Sequence, residues 1–75
     1  MKKIIVLVNT SPSYMENVLQ DMNKIAGVEE AYMVYGVYDI FAIIHAKTSQ
    51  ILRQVVLNIR EIDHINDVTS MNVVA

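Results

Sequence analysis

The 75-residue sequence contains no cysteine, so neither a disulfide nor a thiolate metal site can hold it together. Stability has to come from packing or from association. A reducing compartment fits that composition without being required by it. Charge is also sparse: charged residues make up 19% of the chain and the formal net charge is −2. The six basic residues, Lys2, Lys3, Lys24, Lys47, Arg53 and Arg60, are scattered. Neutralising a phosphate backbone takes a contiguous basic stripe, so direct nucleic-acid binding is not expected. No apolar run reaches the length of a membrane span. Residues 1–8 open like a signal peptide, but Asn9 and Ser11-Pro12 interrupt the run and no cleavage pattern follows. The expectation is a cytoplasmic chain with no membrane partner. Low-complexity stretches and long linkers are missing, which leaves residues 1–75 as a single domain.

What is present is apolar: 53% of residues are hydrophobic, slightly above the ordinary globular range. A domain this small buries only about 60% of its unfolded surface and is marginal alone. The surplus of apolar residues over charge therefore points to a surface meant for another chain, most simply a second copy.

Lys3 to Asn9 is a continuous β-branched run, the signature of a strand covered on both faces. Ser11 followed by Pro12, or Ser13 with Glu16 in an overlapping capping box, starts a helix whose apolar stripe is Met15, Val18, Leu19, Met22 and Ile25. Gly27 can end it in the left-handed conformation. Val28 to Tyr35 and Tyr38 to Ala46 read as two strands joined at Gly36, close enough to be an antiparallel hairpin. Thr48 or Ser49 caps a second helix running to about Ile62, with Leu52, Val55, Val56, Ile59 and Ile62 as its stripe. Val68 to Val74 forms the last strand.

A shift of 37 residues carries the first helical stripe onto the second, and likewise Ile4, Val6 and Leu7 onto Phe41, Ile43 and Ile44, and Val28 onto Ile65. Two βαβ halves in sequence specify an α+β, ferredoxin-like βαββαβ fold. Its four-stranded antiparallel sheet has the expected order 4-1-3-2, with both helices on one face because the crossovers are right-handed. Two helices cover one sheet face only. Central strands open to water on the other face should alternate apolar with polar, and Ile4 to Val8 and Ile40 to Ile44 do not. A symmetric partner presenting the same face is the simplest cover, giving a dimeric α+β barrel-like assembly with an interface on the order of 800 Å² per partner.

Tyr35-Gly36-Val37-Tyr38-Asp39 gathers a glycine, two aromatics and a carboxylate at one turn. In the structural reading Gly36 supplies a positive φ, Asp39 bonds the turn backbone and the tyrosines cap a sheet edge. In the functional reading turn N–H groups hold a carboxylate, Asp39 pairs with an ammonium and Tyr38 walls a side-chain pocket. Those are the groups a free amino acid needs. Thr69 and Ser70 offer hydroxyls that could complete the site if their edge strand meets another subunit. His45 and His64 have no motif spacing that would make a metal centre, and no cofactor is expected. Met15 and Met22 read as core. Neither a nucleophile–base pair nor a phosphate-cradling glycine loop is recognisable, so catalysis is not expected.

Residues Ile25-Ala26-Gly27-Val28-Glu29-Glu30-Ala31-Tyr32-Met33-Val34, running into Gly36-x-Tyr38-Asp39, resemble the ligand-binding (RAM) domain of the Lrp/AsnC transcription regulators. The likeness continues through Ile59 to Ile65 and Thr69-Ser70-Met71-Asn72-Val73-Val74, and so spans essentially the whole chain. The resemblance implies dimers formed by sheet-to-sheet packing, further assembly into rings such as octamers, and amino-acid effectors bound between dimers. It implies roles for Gly36, Tyr38 and Asp39 in that site, with Ser70 standing where the family commonly has a threonine. Three positions depart from the family pattern: Tyr35 replaces a threonine, Val68 replaces another, and His64 replaces a glycine near the end of the second helix. The family's N-terminal helix-turn-helix has no counterpart in these residues. The expected activity is therefore amino-acid sensing and oligomerisation, with a full-length Lrp/AsnC regulator as a further partner. Two alternatives are a purely structural assembly partner without a ligand, and a small enzyme or haem-handling protein on a dimeric α+β barrel using His45 or His64.

Overall fold

The computed structural model describes residues 2–73. Strand β1 spans Lys2–Thr10, a 3-10 turn Pro12–Tyr14 leads into helix α1 at Met15–Asn23, and β2 at Val28–Met33 and β3 at Ile40–Ala46 follow. Helix α2 spans Ser49–Arg60 and β4 spans Ile65–Asn72. Every pairing is antiparallel and the sheet order is β2-β3-β1-β4, the expected topology. Among the described residues no helix is long and apolar enough to cross a membrane.

The core forms on the helical face of the sheet. Ile4, Val6 and Val8 of β1 and Ile40, Ala42 and Ile44 of β3 meet Val18 and Met22 of α1 and Val55 and Ile59 of α2, all buried. Both helices present apolar residues at helical spacing to this one layer, as their stripes require. The alternate residues Ile5, Leu7, Phe41 and Ile43 stay half-buried on the opposite face, with Tyr32 and Met71 about half exposed beside them. Cross-strand register places Leu7 opposite Phe41, Ile5 opposite Ile43 and Met71, and Tyr32 opposite Phe41. An apolar layer runs across all four strands, and among the described residues no element lies over it.

The internal repeat holds for the helices and for Val28 and Ile65, which open β2 and β4, and needs correction for β1 and β3. Val18 and Met22 map onto the equally buried Val55 and Ile59 at a shift of 37, but the buried Ile4 maps onto the half-buried Phe41 of the other face. The residues of β1 and β3 that share the helical face are related by 36. Strand side chains alternate, so a one-residue slip exchanges the faces, and an unbroken apolar run carries no mark of which parity is correct.

Ends of elements differ from the sequence reading where hydrogen bonds compete. The 3-10 turn precedes α1, and neither Ser11 nor Ser13 caps it through its hydroxyl. At α2 Thr48 is the N-cap, its Oγ1 accepting from the Ile51 N–H at 3.1 Å. Both helices end earlier than their apolar stripes, at Asn23 and Arg60. The β2–β3 connection is longer than expected, occupying residues 34–39, because the Val34 N–H donates to the Asp39 carbonyl at 2.9 Å and closes the loop there. Strand β4 begins three residues earlier than expected, since Ile65 and Asp67 pair with Thr10 and Asn9 across a bulge. The expected strand end at Val74 lies outside the described residues.

Candidate functional site

The loop at residues 34–39 is fixed to the sheet by Asp39. Its N–H donates to the Val8 carbonyl at 3.0 Å, and its carboxylate Oδ2 accepts from the Thr10 N–H at 2.9 Å. A side-chain acceptor at that point satisfies the last N–H of β1 where the ladder becomes irregular, and Thr10 is buried there. Among the described residues nothing bonds Oδ1, the second carboxylate oxygen. Gly36 has φ +143 and open space where a Cβ would stand, so the backbone angle and not crowding selects glycine. The loop tip projects Tyr35 and Val37 almost wholly into water, at 107% and 85% relative exposure.

Under this loop lies a cleft of about 390 Å³ lined by Met15, Met33, Val34, Tyr35, Gly36 and Asp39. Met15 comes from the first turn of α1 and Met33 from the end of β2, both on the helical face. Of the six residues expected to bind a ligand, the cleft gathers three: Tyr35, Gly36 and Asp39. No described residue accepts from the N–H groups of Tyr35, Gly36, Val37 or Tyr38.

The other three lie elsewhere in the same chain. Tyr38 turns to the open sheet face, where its hydroxyl is 3.3 Å from Thr69 Oγ1. Thr69 stands opposite Leu7 on that face, and Ser70, one residue on, stands opposite Val6 on the helical face. Ser70 lines a separate groove of about 290 Å³ with Ser49, Leu52, Arg53 and Val56 of α2. Met15, Met33 and Val34 were not expected in the cleft lining, because a methionine in a helical stripe and two apolar residues of an expected strand carry no polar signal.

Neither histidine faces the cleft. His45 Nε2 lies 3.1 Å from Glu29 Oε2 at the rim of the open face, and the His64 ring stacks on Tyr14 at a centroid separation of 3.5 Å and an angle of 2°. Nearby on β2, the Tyr32 phenol is pushed above its ordinary pKa, chiefly by its hydrogen bond with the Glu30 carboxylate and then by desolvation and the negative charges of Glu30 and Glu29. An anionic phenolate beside two carboxylates is disfavoured.

The fold is shared with solved structures. A Thermus thermophilus protein superposes with a TM-score of 0.93 at 20% identity, over 100% of this chain and 95% of that one. The protein FFRP-DM1 superposes with a TM-score of 0.92 at 27% identity, over 99% of this chain and 100% of its own. Escherichia coli AsnC superposes with a TM-score of 0.91 at 22% identity, and there the match takes in 99% of this chain but 51% of the AsnC chain. No curated protein matches the sequence closely enough to count as a relative. The family model of the Lrp/AsnC ligand binding domain matches residues 3–75, and the chain belongs to that family.

Proposed function

We propose that this chain senses a free amino acid at the Tyr35–Asp39 loop and self-associates through its open sheet face. The observation that carries the reading is the cleft under the loop, where one free oxygen of Asp39 and several unengaged backbone N–H groups stand together. An ammonium and a carboxylate on one carbon are complementary to that pair. A structural neighbour from M. tuberculosis, a feast or famine regulatory protein, was solved in complex with L-methionine, which supports the ligand class. The unpartnered apolar layer of Ile5, Leu7, Phe41 and Ile43 supports a dimer closed face to face, with Tyr38 and Thr69 on the face that closes and Ser70 left on the other. A longer member of the family is a further partner in this reading. Regulation, not catalysis, is the role this arrangement serves.

Thermal unfolding across a panel of amino acids tests the proposal. Ligand at 100 times Kd adds about 2.7 kcal/mol, which for a domain of this size raises Tm by roughly 10 °C or more. Asp39→Asn keeps an acceptor for the Thr10 N–H and removes the charge, so it should abolish the shift while leaving the fold intact. An unchanged shift in that variant would sink the assignment of Asp39.

The second reading is an assembly partner without a ligand. The tether from Asp39 to Thr10 and the contact between Tyr38 and Thr69 favour it, since both give these residues structural work. It requires that no amino acid moves Tm.

A further inference from the structure

We infer that the groove between helix α2 and the edge strand β4 is a second binding site, for an amphiphilic anion: a carboxylic acid or phosphate ester with a short apolar body and no ammonium group. The inference is independent of the proposed function and of the cleft under the 34–39 loop. Helix α2 packs mainly over β3 and β1, which leaves Ser70 and Asn72 exposed on the helical face of β4, opposite Val6 and Ile4. Two adjoining hollows result, of about 430 and 290 Å³, and they share Ile4, Ser49, Leu52 and Asn72. Lys2 and Lys3 line the first, and Arg53 and Val56 line the second. The larger hollow falls within the size range of small-molecule sites.

The fold gathers here charges that lie scattered along the chain. Lys2 is the cross-strand partner of Ala46, so Lys47 also stands at this end, and with Lys3 and Arg53 these make four of the six basic residues. No acidic residue lines either hollow, and among the described residues none of the four cations pairs with a carboxylate. The chain as a whole carries a net charge of −2, so overall composition does not account for the local excess. A cleft lined by one sign of charge focuses its field on the opposite sign. Among the described residues no hydrogen bond engages the Ser49 and Ser70 hydroxyls, the Asn72 amide or the Arg53 guanidinium, which leaves them as donors to an anionic head. The apolar floor of Ile4, Leu52 and Val56 suits a hydrocarbon body better than a bare inorganic anion. A free amino acid fits poorly, because its ammonium would stand among like charges with no carboxylate to receive it. That separates this groove chemically from the cleft at Asp39.

Amide chemical-shift mapping on the whole isotope-labelled protein tests the site, with hexanoate, hexyl phosphate, hexylammonium and acetate as probes. Hexanoate or hexyl phosphate should move the amides of Ser49, Leu52, Arg53 and Ser70, and the tighter of the two assigns the head group as carboxylate or phosphate ester. Hexylammonium keeps the body and reverses the charge, and acetate keeps the charge and loses the body, so each should bind at least about tenfold more weakly than hexanoate. Arg53→Gln removes a charge-assisted contact and should weaken the anion by about tenfold or more. Ser49→Asp sets a carboxylate in the groove and should abolish binding, while an acidic residue in the first turn of α2 suits the helix. Both residues are exposed and neither lines the loop cleft, so both variants should fold, as circular dichroism checks, and keep the parent's response to amino acids. Equal affinity for hexylammonium and hexanoate, shifts confined to the 34–39 loop, or an anion affinity unchanged in both variants overturns the inference. So does the absence of shifts with every probe at millimolar concentration. The amino-acid response of Tm is read separately and stands or falls by itself.

Discussion

Replacing His64 by glycine and, separately, by alanine resolves a strain that the internal repeat makes visible. Gly27, between α1 and β2, has φ +100, and the equivalent position 37 residues on is His64, with φ 73. A side chain in the left-handed region costs about 1–2 kcal/mol relative to right-handed backbone. His64 is retained there with two compensations: its ring stacks on Tyr14, and its carbonyl accepts from the Ser11 N–H at 3.2 Å. Offset or edge-to-face ring pairs contribute about 0.5–1.5 kcal/mol, and a face-to-face pair such as this one takes the low end, about 0.5 kcal/mol. His64→Ala loses the stack and keeps the strained angle, for a net loss of about 0.5 kcal/mol. His64→Gly loses the same stack and releases the strain, so it should come out near the parent after glycine's greater freedom in the unfolded chain is counted. The difference between the two variants, about 1 kcal/mol in favour of glycine, isolates the backbone contribution from the stacking. Urea unfolding at one fixed protein concentration measures it, since association is linked to stability, and with a slope near about 1 kcal/mol/M the midpoints should separate by about 1 M. Alanine as stable as glycine would falsify the claim that His64 is strained. The same comparison at Gly27 should be harsher, because a Cβ there meets Val55 Cγ2 at 2.7 Å as well as an unfavourable angle. Gly27→Ala should cost roughly 2–3 kcal/mol.

Leu7→Arg places a charge in the middle of the uncovered sheet face without touching the buried core, and it should convert the assembly to a monomer in light scattering; a parent protein that is already monomeric refutes association through that face. Asp39→Ala leaves the Thr10 N–H without its acceptor and should destabilise by about 1–3 kcal/mol, while Asp39→Asn should retain most of that stability. Equal losses in the two variants would show that the carboxylate charge, not the hydrogen bond, holds the loop. Tyr32 favours its neutral form in the folded state, so any contribution it makes is complete below the ordinary tyrosine pKa of about 10 and is lost as pH rises through the higher folded value. Glu30→Gln should move its titration back toward the ordinary range, read as the part of the tyrosinate absorbance that disappears when Tyr32→Phe is added to that variant. An unmoved titration excludes Glu30 as the chief cause.

Local patterns in the chain were enough for the two helices, the four strands, their order and their antiparallel pairing, because each rests on periodicity, caps and short connections. The lack of polar alternation in Ile4 to Val8 and Ile40 to Ile44 was enough to put apolar residues on both sheet faces. It could not say which residues face the helices, and the tertiary structure corrected the shift between β1 and β3 from 37 to 36 for that reason. Thr69 and Ser70 carried a legible warning: neighbours in a strand point to opposite faces, so one chain cannot bring both to one site. Tyr38 and Asp39 part in the same way, one toward the open face and the other toward Thr10. Met15 and Met33 are far apart in sequence and apolar, so only the packing of α1 beside the end of β2 made them neighbours under the loop. Periodicity is a property of the chain and can be read along it, whereas a cleft is a property of the distances between elements, which exist only once the sheet and helices have packed.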